Sequence, residues 1–193
     1  MTNAADNLLN NITQCALCHH SLPLGANPVL QFNPQSKILI AGQAPGTAAH
    51  QAQIPFADQS GIRLMTWLNI TSSQLYNSQF FSILPMGFCY PGKAQSGDLP
   101  PIKQCADTWR KQLLSHLKNC ELTILLGKHA ANWHLSNTTS LTELVRQWQT
   151  LLDNNIVVLP HPSPRNNPWL KKHHWFETTL LPVLQQKVEA IIQ

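Results

Sequence analysis

The sequence predicts an α/β protein, a single three-layer α/β/α domain over residues 1–193 with a central four-stranded parallel sheet. Three observations predict it. Four short runs, residues 37–41 (KILIA), 80–84 (FFSIL), 122–126 (LTILL) and 156–159 (IVVL), are almost wholly apolar, as strands buried on both faces are. Helical periodicities lie between them, and alternation of strand with helix indicates a parallel sheet covered on both sides. No internal repeat, low-complexity tract or linker divides the chain.

In chain order, the first strand runs into Gly42-Gln43-Ala44-Pro45-Gly46, and the Ser60-Gly61 turn precedes a helix over residues 62–68. The second strand leads into a long loop, residues 85–101. A helix over residues 102–117 then places Cys105, Trp109, Leu113 and Leu117 on one stripe at i, i+4 spacing. Shorter helices follow the third strand at residues 128–134 and 141–148. The tail, residues 176–192, repeats Phe176, Leu180, Leu184 and Val188, with Pro182 expected to kink or restart the helix. Sites in parallel sheets form beyond the carboxyl ends of the strands. The loops at residues 42–61, 85–101 and 160–169 are therefore expected to converge at one edge.

Composition narrows the functional classes. Of 193 residues, 43% are hydrophobic and 11% charged, the balance of a folded chain rather than a disordered one. No run approaches the roughly 18–20 apolar residues of a membrane span. The opening segment MTNAADNLLNNITQC has neither the basic nor the apolar region of a secretion signal, so a cytoplasmic or nucleoid location with no membrane partner is expected; the protein is also expected to be a monomer. The net charge of +4 and pI near 8.9 suit a phosphate-bearing partner without requiring one.

The first loop combines glycines, which let backbone N–H groups approach a ligand, with Phe56 behind the rigid Pro55. A base taken out of a nucleic-acid stack needs an aromatic platform and polar groups at its edge; a plain turn and a core phenylalanine are the alternative. Neither Gly-x-Gly-x-x-Gly nor Gly-Lys-Ser/Thr is present, which excludes the common nucleotide-binding loops. The last loop sets His161, Ser163 and Arg165 among Pro160, Pro162 and Pro164. A stiff frame presenting His, Ser and Arg suits a nucleic-acid backbone, with Ser163 holding a phosphate, Arg165 entering the gap left by an extruded nucleotide and His161 donating to a leaving base. Lys171, Lys172, His173 and His174 extend it as a basic run, either a solvated helix face or a DNA contact. Cys15 and Cys18 form a CxxC, with Cys89 and Cys105 downstream. Four thiolates suit a [4Fe–4S] cluster or tetrahedral zinc, and buried free thiols are the third reading. Cys120 reads as an apolar filler.

Together, Gly42-Gln43-Ala44-Pro45-Gly46, Pro55-Phe56 and His161-Pro162-Ser163-Pro164 resemble the two signature loops of uracil-DNA glycosylases. The first loop and the Cys15, Cys18, Cys89, Cys105 spacing are most similar to the iron–sulfur-containing bacterial and archaeal branch. The extended last loop is most similar to the single-strand-selective monofunctional branch. The resemblance implies a DNA glycosylase that hydrolyses the N-glycosidic bond of uracil or a related deaminated or damaged base flipped out of DNA. It implies catalytic roles for His161 and Gln43, substrate contacts from Gly42, Ala44, Gly46 and Phe56, DNA contacts from Ser163, Arg165 and Asn166, and a cluster on the four cysteines. Two positions depart from the family pattern. Ala44 stands where other branches place Asp or Asn to activate water, with Asp58 and His50 as nearby substitutes. Pro85 stands where the iron–sulfur branch has a base-reading asparagine, leaving Asn69, Gln95 or Asn166 to read the base. These departures keep open a catalytically silent member that binds DNA, or one that binds a free nucleobase or nucleotide.

Overall fold

A computed structural model describes residues 4–136 and 139–193. Helix α1 (Ala4–Thr13) precedes β1 (Ile38–Ala41), α2 (Thr47–Ala52), α3 (Gln59–Leu68) and α4 (Ser72–Leu75). Then come β2 (Phe81–Ile83), α5 (Lys103–Cys105), a π-helical turn (Ala106–Arg110) and α6 (Lys111–His116). The chain continues through β3 (Leu122–Leu126), α7 (Lys128–Leu135), α8 (Leu141–Arg146), α9 (Trp148–Asp153) and β4 (Ile156–Leu159). It ends in α10 (Asn167–Lys172) and α11 (Leu181–Ile192).

The four strands form one parallel sheet in the order β2-β1-β3-β4, with helices on both faces as the apolar strands require. Within β1, Ile38 and Ile40 join the larger core with Leu64, Trp67 and Leu68 of α3 and Leu184 and Val188 of α11. Leu39 points the other way, to Leu8 and Ile12 of α1 and Leu113 of α6. Each such Leu or Ile, fully buried, stabilises the fold by about 1.5–3 kcal/mol.

Register brings the functional loops together. Ile40 pairs with Ile83, Ala41 with Leu125, and Leu126 with Leu159, so the strands end nearly level. Pairing between the β1 and β2 segments continues beyond the strands: Leu84, Met86 and Gly87 donate to the carbonyls of Ile40, Gly42 and Gln43 at 2.8, 2.9 and 3.0 Å. The first two loops therefore leave the sheet stitched to each other.

Three local expectations change. Helix α3 begins at Gln59, three residues earlier than its apolar period suggests, because the Asp58 carboxylate caps it by accepting from Ser60 N and Gly61 N. The helix expected over residues 102–117 contains the π turn, whose extra residue turns Ala106 and Arg110 inward while Cys105, Trp109, Leu113 and Leu117 still pack in the smaller core. In the tail, a π-helical turn (Phe176–Leu180) runs into α11, and Pro182 lies in its first turn, where the missing N–H is tolerated. No helix among the described residues is long and apolar enough to cross a membrane.

Candidate functional site

All three loops line one pocket of about 610 Å3 beyond the carboxyl ends of the strands. Gly42, Gln43, Ala44, Gly46 and Phe56 come to it from the first loop, Pro85 and Asp98 from the second, and His161, Ser163, Arg165 and Asn166 from the last. Every residue expected in a catalytic, substrate or DNA role is therefore in this lining; of the substitutes offered for Ala44 and Pro85, Asp58 and Asn166 line it too, and Gln95 does not. His50 turns elsewhere, its ring against Tyr90, and Asn69 caps the far end of α3.

Phe56 is held in place by backbone geometry. Its φ is +57°, a left-handed conformation that side chains with a Cβ rarely adopt. The Tyr76 hydroxyl donates to the Pro55 carbonyl at 2.9 Å. A Cβ at Gly61 would stand 1.9 Å from the Phe56 carbonyl oxygen, so only glycine lets α3 pass this close. The Phe56 ring reaches Gly42, its Cζ 3.6 Å from where a Cβ there would lie, and forms one wall of the pocket.

Gln43 reaches across to the second loop, where its Nε2 donates to the Leu99 carbonyl at 2.9 Å. That loop folds into a small hairpin: Leu99 N donates to Gly92 O, Ala94 N to Gly97 O, and the backbones of Lys93 and Asp98 form an isolated antiparallel β-bridge. The hairpin brings Asp98 to the pocket, a residue that sequence reasoning missed because nothing local marks which hairpin residue faces inward. Asp98 Oδ2 and Asp58 Oδ2 lie 3.7 and 3.9 Å from the position a Gly46 Cβ would occupy, so two carboxylates flank the first loop.

The last loop is held by its own hydrogen bonds and by one from α3. Asn166 Nδ2 donates to the His161 carbonyl at 2.7 Å, and Arg63 Nη1 to the Ser163 carbonyl at 3.0 Å. Ser163 Oγ accepts from Arg165 N at 3.3 Å, capping a short 3-10 turn (Pro164–Asn166). Burial lowers the His161 pKa and Arg165 lowers it further, while Asp58 and Asp98 oppose the shift; the ring is neutral at pH 7. Arg165 is exposed and lies against Gly97, whose φ of +96° and missing Cβ admit the guanidinium: a Cβ there would be 2.0 Å from Nη1. The basic run following the loop is divided. Lys171 and Lys172 are exposed, but His173 is buried with its ring 4.5 Å from that of Trp169.

The four cysteines expected to act together line a second, narrow cavity with Leu17, Leu22, Phe88, Ile102 and Trp109. Burial and the neighbouring thiols raise the pKa values of Cys18, Cys89 and Cys105, the last to about 12. Phe88 N–H donates to Cys105 Sγ at 3.3 Å, and the Asn27 backbone bonds Cys89. The Trp109 indole N–H is buried without a partner. The donor set is soft sulfur in an apolar surround, which suits a sulfur-ligated group. Among the described residues, however, no group of three or more His, Cys, Asp or Glu is arranged to hold a metal ion. Cys120 packs in the smaller core, apart from this cavity.

The model of the uracil DNA glycosylase superfamily matches residues 30–185 of the chain.

Proposed function

Because the chain belongs to the uracil DNA glycosylase superfamily, we propose that it is a DNA N-glycosylase acting on uracil or a related deaminated or damaged base flipped out of DNA. The observation that carries this reading is the pocket itself, with Phe56 as an aromatic wall, His161 among the polar groups and the first two loops stitched together at the sheet edge. Hydrolysis breaks the C1′–N bond, places the water oxygen on C1′ and delivers its proton to the departing base. Charge separates in the transition state, so fixed donors matter most. In this reading neutral His161 donates to the base as it becomes anionic, and Phe56 stacks on the ring. Gln43, tethered to Leu99, accepts a hydrogen bond from the attacking water through Oε1. Asp58 and Asp98 supply negative charge near the oxocarbenium-like sugar that Ala44 cannot. Ser163 and Asn166 fix the last loop, and Arg165 meets the DNA backbone.

The test is release of free base from oligonucleotides carrying uracil, hypoxanthine or xanthine, single- and double-stranded. His161→Ala should slow release by about 10²–10³-fold, the usual cost of one leaving-group donor. Salt-dependent DNA binding without release of any base would make the protein a silent binder instead.

We also propose that Cys15, Cys18, Cys89 and Cys105 hold a [4Fe–4S] cluster, as in the iron–sulfur branch. Four thiols around an apolar cavity, at the spacing that the iron–sulfur branch shows, support this reading over zinc. The group would order the segments that carry the cysteines. Visible absorbance and iron, sulfide and zinc analysis of anaerobically purified protein test this directly. We further propose that the protein acts on DNA as a monomer in the cytoplasm.

A further inference from the structure

Resting on the reading of the four cysteines as a cluster site, we propose that the Trp109 indole N–H donates a hydrogen bond to sulfur of the bound cluster. It thereby sets how firmly the cluster is held and at what potential it takes up an electron. Trp109 Nε1 is buried without a partner. A buried N–H that stays unpaired costs about as much as a lost hydrogen bond, and native proteins rarely leave one so. Trp109 stands one helical turn after Cys105, and both line the cysteine cavity.

The surroundings narrow the acceptor. Apart from Trp109 and the four cysteines, every side chain lining the cavity is hydrocarbon, so sulfur is the one acceptor the side chains offer. A free thiol accepts weakly, whereas a metal-bound thiolate or sulfide carries negative charge and accepts well. Among the described residues, the lining contains no Lys, Arg or His to offset that charge. N–H dipoles must do so, and two are already in place. Phe88 N donates to Cys105 Sγ at 3.3 Å, and the Asn27 backbone bonds Cys89. Trp109 supplies a third, carried on a side chain that one substitution can change. Donors to sulfur favour the more negative, reduced state of an iron–sulfur group and so raise its potential. They also oppose protonation of the thiolates, which must stay deprotonated to bind metal.

Trp109→Phe keeps an aromatic ring and removes the N–H. The full chain and this variant, purified anaerobically, are compared by redox titration of the visible absorbance and by the rate at which iron passes to a chelator. A hydrogen bond to a charged acceptor is worth about 10-fold or more in an equilibrium. The one-electron equilibrium of the variant should therefore move about 10-fold toward the oxidised form, about 59 mV at n = 1, and iron loss should quicken about 10-fold. A second measurement needs no variant. Wild type labelled with 15N at the tryptophan indole and then reduced should show a 15N coupling in pulsed EPR, and Trp109 is the one tryptophan in the cavity lining. Faster iron loss at an unchanged potential would mean that the ring only packs, and overturns the inference. So does an absent 15N coupling; either result leaves the cluster reading intact. Wild type that carries zinc, or no metal, overturns both.

Discussion

The Phe56 wall depends on a single hydrogen atom. Phe56 keeps an unfavourable φ because Tyr76 holds Pro55 and α3 crowds the carbonyl from beneath. Gly61→Ala forces α3 and the loop apart. It should destabilise the protein by about 1–3 kcal/mol, the range for overpacking, and weaken base stacking; a denaturant midpoint and a base-release rate both equal to wild type would contradict this geometry. His161 offers a second measurement at this scale. Its pKa lies below the usual value near 6.5, so the ring is neutral in both folded and unfolded protein above that pH. As pH falls below 6.5 the unfolded chain takes up the proton first, and the His161 contribution to stability declines until the folded pKa is passed. Asp98 opposes the shift and Arg165 adds to it. In a ring-resonance NMR titration, Asp98→Asn should therefore move the His161 pKa further down, and Arg165→Ala should move it up.

Among the elements, the helical segment from α5 to α6 reaches the site through Arg110. The π turn adds a residue, and Arg110 comes inside at 1% exposure. It donates to Leu84 O and Pro85 O, contacts His134 Nε2 through Nε at 3.1 Å and lies 5.3 Å from the Trp133 ring centre. Burial and the neighbouring guanidinium push the His134 pKa down to about 3, so the imidazole stays neutral and accepts from the arginine. Arg110→Ala would orphan two carbonyls at the end of β2 and should cost about 2–5 kcal/mol, read by chemical denaturation. A loss below 1 kcal/mol would show that water takes the vacated place. This element also marks the limit of what the sequence reveals. The strands are legible because burial on both faces writes an apolar run, and the cysteine stripe survives because its i, i+4 spacing is local. A π turn leaves that spacing almost undisturbed, so the inward rotation of Arg110 has no sequence signature. The glycine- and proline-framed loops are readable for the same local reason. Asp98 is not, because nothing local marks which residue of the hairpin faces inward, and Val29, also in the pocket lining, is not, because its pairing with Phe88 joins residues far apart in sequence.

Across the whole molecule, one stretch of backbone connects the pocket with the cysteine cavity and stands as a wall of the latter. In residues 86–89, Met86 N and Gly87 N bond the first loop, while Gly87, Phe88 and Cys89 line the cysteine side. Phe88 N bonds Cys105 Sγ, so the backbone of this stretch is tied to both. A group bound by the four cysteines would join α1's trailing segment, this wall and α5 into one unit, and its binding energy would become folding energy. Stripping it with a chelator, or replacing Cys105 with Ser, should lower Tm by roughly 5–10 °C, as expected for a loss of about 2–3 kcal/mol in a chain of this size. Hydrogen exchange should quicken at Met86, Gly87 and Phe88, and base release should fall with it, because the Gln43 and Pro85 walls loosen together. Cys120→Ser, outside the cavity, should leave metal content and exchange at residues 86–88 unchanged. Fast exchange confined to the N-terminal CxxC, with residues 86–88 still protected, would mean that the two cavities are neighbours without being coupled.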